Sequence, residues 1–387
     1  MGNHYTMIAK TLFGFESILA EELRKLGAVN IQKGVRSVFF EGDKGFMYKA
    51  NLCLRTAIKI VKPIKTFHVK NEKDLYHGIY KMSWDSYMTH RNTFAVDALL
   101  TTTVFNHSQY VALRVKDAIA DKFRNTQGRR PNVDVTTPDL RIHIHIQQDK
   151  LTVALDSSGP SLHRRGYRIA TNNAPMNEVL AAGIVLLSGW DGQCDFLDPM
   201  CGSGTIVTEA AMIACAIPPN MNRIAFAFEK WNDFDAELFH TIIQSSLKKT
   251  REFHHHIYGY DKAPSAVRKA KENVKNAHLN DYITIKQQDF FTSEKWNENK
   301  LHLVFNPPYG ARLNVAMERF YTQIGDTLKR HYPGTDAWLI TANMEALKHV
   351  GLRPSRKLKL FNGKLESKLV RYEMYEGSKK AKFRSDK

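Results

Sequence analysis

The first 65 residues combine short apolar segments with an amphipathic stretch, the pattern of a small α+β unit. Ile18, Leu19 and Leu23 recur on one side of a helix, and charged residues occupy the other positions. This spacing predicts a helix over Glu16–Leu26 that ends at Gly27. Strands are predicted at Tyr5–Ile8 and Ser37–Phe40, and a second helix is predicted at Gly45–Asn51.

Residues 66–160 have the same α+β character, with a longer helix and a pair of alternating strands. Val111, Val115 and Ile119 lie on one face of a predicted helix over Asn106–Phe123, and Ser108 is its candidate N-cap. Alternation of apolar and polar residues predicts the strands Thr93–Ala98, Leu140–Gln147 and Lys150–Asp156. We therefore expect a second small domain over residues 66–160.

Strands and helices alternate over residues 161–378, which predicts an α/β domain with a doubly wound parallel sheet. The predicted strands are Cys194–Leu197, His256–Tyr260, Ile283–Gln287, Leu301–Phe305 and Trp338–Thr341. The predicted helices are Pro175–Ser188, Thr205–Cys215, Ala263–Ala277 and Val315–His331. Asn362-Gly363, between strands at Lys357–Phe361 and Lys368–Tyr375, predicts a closing hairpin.

The charge of the chain points to a polyanionic partner. Lys and Arg outnumber Asp and Glu by 56 to 39, a net charge of +17, and phosphate contacts dominate nucleic-acid affinity. A merely basic protein and an anionic membrane surface are the alternatives. The cluster Arg124, Arg129, Arg130 and Arg141 is a candidate phosphate-binding face, or else a solvated rim. The basic tail 379–387 is expected to be a disordered arm that touches the same partner.

Other features limit location and metal chemistry. No apolar run approaches the roughly 20 residues that cross a bilayer, so no membrane partner is expected. Four scattered cysteines without a C-x-x-C pair favour a reducing, cytoplasmic location. The adjacent residues His254-His255-His256 point in different directions, so no metal site is expected there. The sequence does not address the oligomeric state.

A glycine-containing turn between a strand and a helix is the first candidate cofactor site. It reads Asp198-Pro199-Met200-Cys201-Gly202-Ser203-Gly204-Thr205. Gly202 and Gly204 permit a sharp turn and close approach of the backbone to a ligand, and free N–H groups at the helix start can bind a carboxylate. A dinucleotide loop is the alternative, but Val207 occupies the position where that motif needs a third glycine.

Acidic residues follow the next two predicted strands. Asp261 can accept hydrogen bonds from both ribose hydroxyls of a nucleoside cofactor, and Asp289 can accept from an adenine amino group while Phe290 packs on the ring. Some sixty residues separate Asp261 from the glycine turn, which implies an insertion, and Ile217–Trp231 is the candidate segment. Cofactor binding is therefore predicted at these three positions and at Asp198, Pro199, Cys201, Gly202, Ser203, Gly204 and Thr205.

Asn306-Pro307-Pro308-Tyr309, after the strand Leu301–Phe305, is the most specific signal in the chain. The lone pair of an aromatic amine is delocalised into its ring, so the amine is a poor nucleophile. The Asn306 side-chain oxygen and the Pro307 carbonyl can accept from the NH₂ group and hold the nitrogen in line with a methyl donor. Pro308 stiffens the loop and Tyr309 can stack on a flipped base. These four residues are the predicted catalytic set, and Asn306 is also assigned to the cofactor site.

Taken together, these motifs resemble a known family. Arg130-Pro131-Asn132-Val133-Asp134 and the strands after it resemble a THUMP domain, and the four ordered elements from Asp198 to Tyr309 resemble class I S-adenosylmethionine-dependent methyltransferases. The runs Leu162–Arg168, Ala174-Pro175, Phe226–Trp231 and Lys359–Leu365 make the chain similar to THUMP-containing rRNA guanine-N2 methyltransferases of the RlmL type.

The resemblance implies a fold, a cofactor and a partner. The fold is a Rossmann-like class I methyltransferase domain (161–378) preceded by a ferredoxin-like subdomain (1–65) and a THUMP RNA-binding domain (66–160). The cofactor is S-adenosyl-L-methionine (SAM), with S-adenosyl-L-homocysteine (SAH) as product, and Pro175 joins the cofactor-binding residues. The partner is RNA, expected to be rRNA. RlmL-type proteins can carry a second methylase domain, whereas this sequence shows one, which leaves open whether the target is the same.

Guanine-N2 methylation has three alternatives. Adenine-N6 methylation of RNA or DNA remains open, because the Asn306–Tyr309 loop suits any exocyclic amine. Cytosine-C5 methylation needs a cysteine nucleophile near the catalytic loop, and Cys201 belongs to the glycine turn instead. A non-catalytic RNA-binding protein with a methylase fold is the remaining alternative, and the intact acidic and Asn306–Tyr309 positions disfavour it.

Overall fold

The computed structural model describes residues 4–170, 175–308 and 315–375. Two compact units are present in this chain. Within the described ranges, the first comprises residues 4–11, 19–162 and 223–245, and the second comprises residues 12–18, 163–170, 175–222, 246–308 and 315–375.

The elements up to residue 156 follow one another as short strands and helices. They are β1 (Tyr5–Thr11), α1 (Glu16–Leu26), β2 (Val29–Gly34), β3 (Ser37–Gly42), α2 (Lys44–Cys53), β4 (Ala57–His68), α3 (Glu72–Tyr80), β5 (Thr93–Thr101), α4 (Ser108–Gln127), β6 (Asn132–Val133), β7 (Leu140–Gln147) and β8 (Lys150–Asp156). Their strands form an eight-stranded sheet with the order β2-β3-β1-β4-β8-β7-β5-β6.

The sequence analysis did not identify β4, which joins the two predicted α+β regions. This strand pairs antiparallel with β1 on one side and with β8 on the other. Its ladder shifts register between Pro63 and Lys65, as expected where proline lacks the N–H that a ladder bond needs. The boundary predicted at residue 65 falls within β4, so one sheet is continuous through that position.

The remaining elements form the second unit, apart from most of α7. They are α5 (Glu178–Leu187), β9 (Asp195–Asp198), α6 (Thr205–Ala214), α7 (Ala236–Leu247), β10 (Ile257–Asp261), α8 (Pro264–Asn276), β11 (Ile283–Gln287), β12 (Leu301–Phe305), α9 (Val315–His331), β13 (Asp336–Thr341), α10 (Met344–Leu347), β14 (Arg356–Asn362) and β15 (Leu365–Glu373). The seven-stranded sheet has the order β11-β10-β9-β12-β13-β15-β14.

This second sheet confirms the predicted doubly wound α/β fold. Strands β9 to β13 run parallel, whereas β15 is antiparallel to β13 and to β14. The order reverses around β9, since β10 lies on one side of it and β12 on the other. Ligands of open α/β sheets bind beyond the carboxyl ends of the strands at such a reversal.

The segment between β9 and β10 contains the insertion that the long motif spacing implied. The sequence assigned it to Ile217–Trp231, and residues 223–245 group with the first unit. Phe228 stacks on Tyr48 with ring centroids 4.4 Å apart, and Phe226 stacks on Phe228 at 5.2 Å. The aromatic residues of the insertion are therefore core residues of the first unit.

Several element ends differ from the predictions, and three of them have a local cause. Helix α5 begins at Glu178 rather than Pro175, because the Asn177 side chain caps it by accepting from the amides of Val179 and Leu180 at 2.9 and 3.3 Å. His107, not Ser108, caps α4. Asn362 still pairs with Leu365, so the two loop residues of the hairpin are Gly363 and Lys364.

Candidate active site

The glycine turn lies where predicted, between the buried strand β9 and helix α6. Gly202 and Gly204 have φ of +55° and +82°, a region that side chains disfavour. A Cβ on Gly204 would also lie 3.2 Å from the Cβ of Ala270. The Asp198 carboxylate accepts from the Met200 amide at 3.1 Å, and burial raises its pKa well above the usual value. Asp198 therefore shapes the turn from beneath.

Asp261 ends β10 and connects that strand to the glycine turn. One carboxylate oxygen, Oδ2, accepts from the Gly202 amide at 3.0 Å, and the other, Oδ1, accepts from the Ala263 amide at 2.9 Å. Strand β10 runs parallel to β9 with Gly259 level with Asp198. The two carboxylates thus lie at the same edge of the sheet.

Asp289 and Phe290 follow β11 at that edge. The Asp289 side chain accepts from the Phe291 amide at 3.0 Å and so begins a short 3₁₀ turn. Phe290 is only 2% exposed and packs against Phe305 and Tyr332, with ring centroids 5.8 and 5.5 Å apart. Phe290 therefore anchors the turn, and it also lines a cavity at this edge.

A cavity of about 290 Å³ opens at the carboxyl edge of the second sheet. Its lining includes six predicted site residues, namely Pro199, Asp261, Asp289, Phe290, Asn306 and Pro308. It also includes Met200, Lys262, Gln288, Phe291 and Phe320, which the sequence analysis missed. Four of these are neighbours in sequence of predicted residues, whereas Phe320 comes from α9 and contacts Phe291 edge-to-face at 5.1 Å.

The other predicted cofactor residues lie outside the cavity lining. Asp198, Cys201, Ser203 and Thr205 are buried, and Pro175 is exposed. Gly202 and Gly204 belong to the turn between β9 and α6, and Pro307 is buried between Asn306 and Pro308. Tyr309 and the basic tail 379–387 lie outside the described residues.

Arg168 supports the start of α6 and was not singled out as a site residue. Its guanidinium Nη2 donates to the Thr205 hydroxyl at 2.8 Å and to the Met176 carbonyl at 2.9 Å. Its Nε lies 3.2 Å from a carboxylate oxygen of Glu178. Burial raises the pKa of Glu178 to about 7. This network holds the first residue of α6 against α5.

The predicted arginine cluster separates into different environments. Arg141 is largely buried and contacts Asp97 at 3.1 Å, while it also donates to the Val135 carbonyl at 2.7 Å. Arg124 is exposed and pairs with Asp121 at 2.9 Å. Arg129 and Arg130 are exposed just after Gly128, the C-cap of α4. Arg129 and Arg130 are the better candidates for phosphate contacts, because Arg124 and Arg141 already have carboxylate partners.

Two features of the described ranges bear on metal binding and membrane insertion. Among those residues, no three His, Cys, Asp or Glu side chains are grouped so that they could hold a metal ion. No described helix has the length and apolar character needed to cross a membrane.

Comparison with known proteins assigns three regions. Residues 165–371 match the family described as RMKL-like, methyltransferase domain. Residues 69–156 match the THUMP domain, and residues 6–61 match the RlmL ferredoxin-like domain. These matches confirm the predicted domain types and their order.

Similar proteins cover nearly the whole chain. The ribosomal RNA large subunit methyltransferase K/L of Syntrophotalea carbinolica is 37% identical over 94% of this chain, which spans only 53% of that protein. A Synechocystis protein provisionally named RNA methyltransferase slr0064 is 36% identical, over 94% of this chain and 95% of its own length.

Solved structures show the same fold. SMU.472, provisionally described as a methyltransferase and complexed with SAH, is 29% identical with a TM-score of 0.86, covering 98% of this chain and all of that one. A Listeria monocytogenes protein described as a predicted N6-adenine-specific DNA methylase is 28% identical with a TM-score of 0.86, over 96% of this chain and 97% of that one. The chain belongs to the RMKL-like methyltransferase family, with a THUMP domain and an RlmL-type ferredoxin-like domain before the methyltransferase domain.

Proposed function

We propose that this protein transfers a methyl group from SAM to the N2 amine of a guanine in ribosomal RNA. The observation that carries the proposal is the position of Asn306 and Pro308, which line the same cavity as Asp261 and Asp289. An amine-directing loop and two acidic residues suited to an adenosyl group therefore face one space.

The residues around the cavity fit SAM. Each Asp261 oxygen accepts one backbone amide, which leaves one acceptor position per oxygen for a ribose hydroxyl. Asp289, at the end of the neighbouring strand, provides an acceptor for the adenine amine, and Phe291 and Phe320 provide apolar walls. The relative SMU.472 was solved with SAH, the product that SAM leaves after methyl transfer.

SAM supplies a sulfonium-bound methyl group, and the protein's task is to position the nucleophile. The Asn306 side-chain oxygen and the Pro307 carbonyl accept the two N–H donors of the base amine, which directs its lone pair away from the ring. Strand β12, fully buried over its five residues, holds Asn306 in place. Because these dipoles are oriented before the reaction, they need not reorganise as charge develops on the nitrogen.

The RNA partner is supported by the THUMP domain and by relatives named as rRNA methyltransferases. The chain spans about half of the Syntrophotalea relative, so rRNA is proposed as its substrate and is not carried over from that protein. The proposal also extends to a cytoplasmic location, where a bacterial ribosome is assembled. The domain boundaries 65, 160 and 378 stay predictions.

The proposal is tested by incubating the purified protein and SAM with rRNA that lacks its modifications, followed by mass spectrometry of the nucleosides. N2-methylguanosine is the expected product. N6-methyladenosine would establish the alternative activity in place of the proposed one. Methylation of a DNA duplex but not of rRNA would overturn the RNA assignment.

A further inference from the structure

The C-terminal hairpin β14–β15 carries a concentration of positive charge that the proposed chemistry does not use. Between residues 353 and 368 one acidic residue, Glu366, accompanies six basic residues, namely Arg353, Arg356, Lys357, Lys359, Lys364 and Lys368. All of the basic residues except Lys368 are exposed, and Lys368 is half-buried. The hairpin forms the edge of the second sheet.

Strand register places the tip of this hairpin at the same sheet edge as the candidate active site. Phe305, the last residue of β12, is level with Leu339, which is level with Val370. Lys368 pairs with Thr341, the last residue of β13, and therefore lies two residues beyond Phe305, where the Asn306–Pro308 loop begins. Three strand spacings, about 14 Å in all, separate β12 from β14.

Two lysines face each other across the hairpin. Lys359 is directly paired with Lys368, and like charges in this position destabilise a sheet. Glu366 contacts Lys359 at 2.7 Å, with both side chains about half exposed. One carboxylate thus compensates for the pair, while Lys364 extends the positive charge into the turn. This arrangement favours an anionic partner.

An aromatic pair, of which Phe13 is exposed and Phe361 is half-buried, lies beside these lysines. The Phe13 ring is 41% exposed and packs edge-to-face on Phe361, with centroids 5.4 Å apart. The Lys359 ammonium lies 5.6 Å from the centre of the Phe361 ring. The adjacent Gly14 has φ +86°, and a Cβ there would lie 3.0 Å from Leu360, so the chain that presents Phe13 is closely fitted to β14. Exposed aromatic rings among cations are typical of single-stranded nucleic-acid binding.

We propose that Phe13 and the hairpin tip (Lys359, Phe361, Lys364 and Lys368) bind single-stranded RNA a few nucleotides from the base that is methylated. The lysines contact phosphates and Phe13 stacks on a base. This inference rests on the proposed function, because it names where that substrate's strand runs. Protection of an edge strand against pairing with another chain is the competing explanation for the lysines.

The test measures binding of a 12-nucleotide single-stranded RNA by fluorescence anisotropy at several salt concentrations. Affinity falls as salt rises, and the slope of log affinity against log salt is about −0.7 per phosphate contact on a single strand. In the triple variant K359Q/K364Q/K368Q this negative slope should become shallower by about 2. Phe13→Leu should weaken binding by roughly 5- to 150-fold, since base stacking on an aromatic is worth about 1–3 kcal/mol. Phe13→Trp should restore it.

A matched control removes the same charge elsewhere on the methyltransferase domain. R268Q/K271Q/K275Q neutralises three exposed residues of α8, which packs on β10 and β11 at the other end of the sheet. An equal change of slope in both triple variants, or none in the hairpin variant, would overturn the inference, as would unchanged affinity in Phe13→Leu. SAM binding should stay unchanged in every variant. If the wild type methylates rRNA and the hairpin variants bind RNA as the wild type does, this inference alone is refuted. If the wild type does not methylate rRNA, the proposed function is refuted.

Discussion

Replacing Asp261 by alanine should weaken SAM binding without unfolding the protein. The carboxylate has two acceptor positions beyond those used by the amides of Gly202 and Ala263. We assign these positions to the ribose hydroxyls. Hydrogen bonds to a charged group contribute about 1.5–3 kcal/mol. A net loss of about 2–3 kcal/mol corresponds to a dissociation constant that is roughly 30- to 150-fold higher.

Asp261→Asn separates the cofactor role from the turn-shaping role. The amide retains one acceptor oxygen, but its NH₂ group cannot accept from either backbone amide, so affinity should fall between those of wild type and Asp261→Ala. Asp281→Ala removes the same charge from an exposed position and is the control. Calorimetric titration with SAM is the assay. Equal affinity in wild type and Asp261→Ala would refute the assignment of Asp261 to the ribose.

Two further predictions concern the THUMP domain and the pH dependence of folding. Replacing Arg129 and Arg130 together by glutamine should reduce the salt slope of RNA binding by at most about 2, and an unchanged slope in filter binding would place the RNA path elsewhere. Burial raises the pKa of Glu178 to about 7, so the folded state binds the extra proton and the free energy of unfolding should fall as pH rises from about 5 to 8. In urea titrations, Glu178→Gln should reduce the change in the free energy of unfolding between pH 5 and pH 8 by about 1–3 kcal/mol. Parallel plots of unfolding free energy against pH for wild type and variant would contradict this prediction.

Strong local patterns in the sequence identified much of the second unit. β11 and β12 occupy the predicted residues Ile283–Gln287 and Leu301–Phe305. β12 is apolar apart from His302 and is buried over all five residues, as expected for a strand covered on both faces. Since motif residues follow such strands directly, the positions of Asp261, Asp289 and Asn306 at one cavity could be predicted.

Tertiary interactions determined what the sequence did not reveal. In β4, Pro63 and four lysine or threonine side chains obscure the alternation, and the strand is stabilised by pairing on both edges. Phe320 reaches the cavity from α9, and no local motif marks it. Arg141 belonged to a sequence cluster, but its pairing with Asp97 depends on the alignment of β5 and β7.

Asn306→Ala, assayed by single-turnover methylation of RNA, tests the central claim most directly. If Asn306 accepts from the target amine, its contribution is greatest as the nitrogen attacks, so the chemical step should slow by about 10²–10³, a much larger change than any loss of SAM affinity. Asn306→Asp keeps an acceptor and should retain partial activity. A wild-type single-turnover rate in Asn306→Ala would contradict the amine-directed mechanism and the assignment of an exocyclic nitrogen.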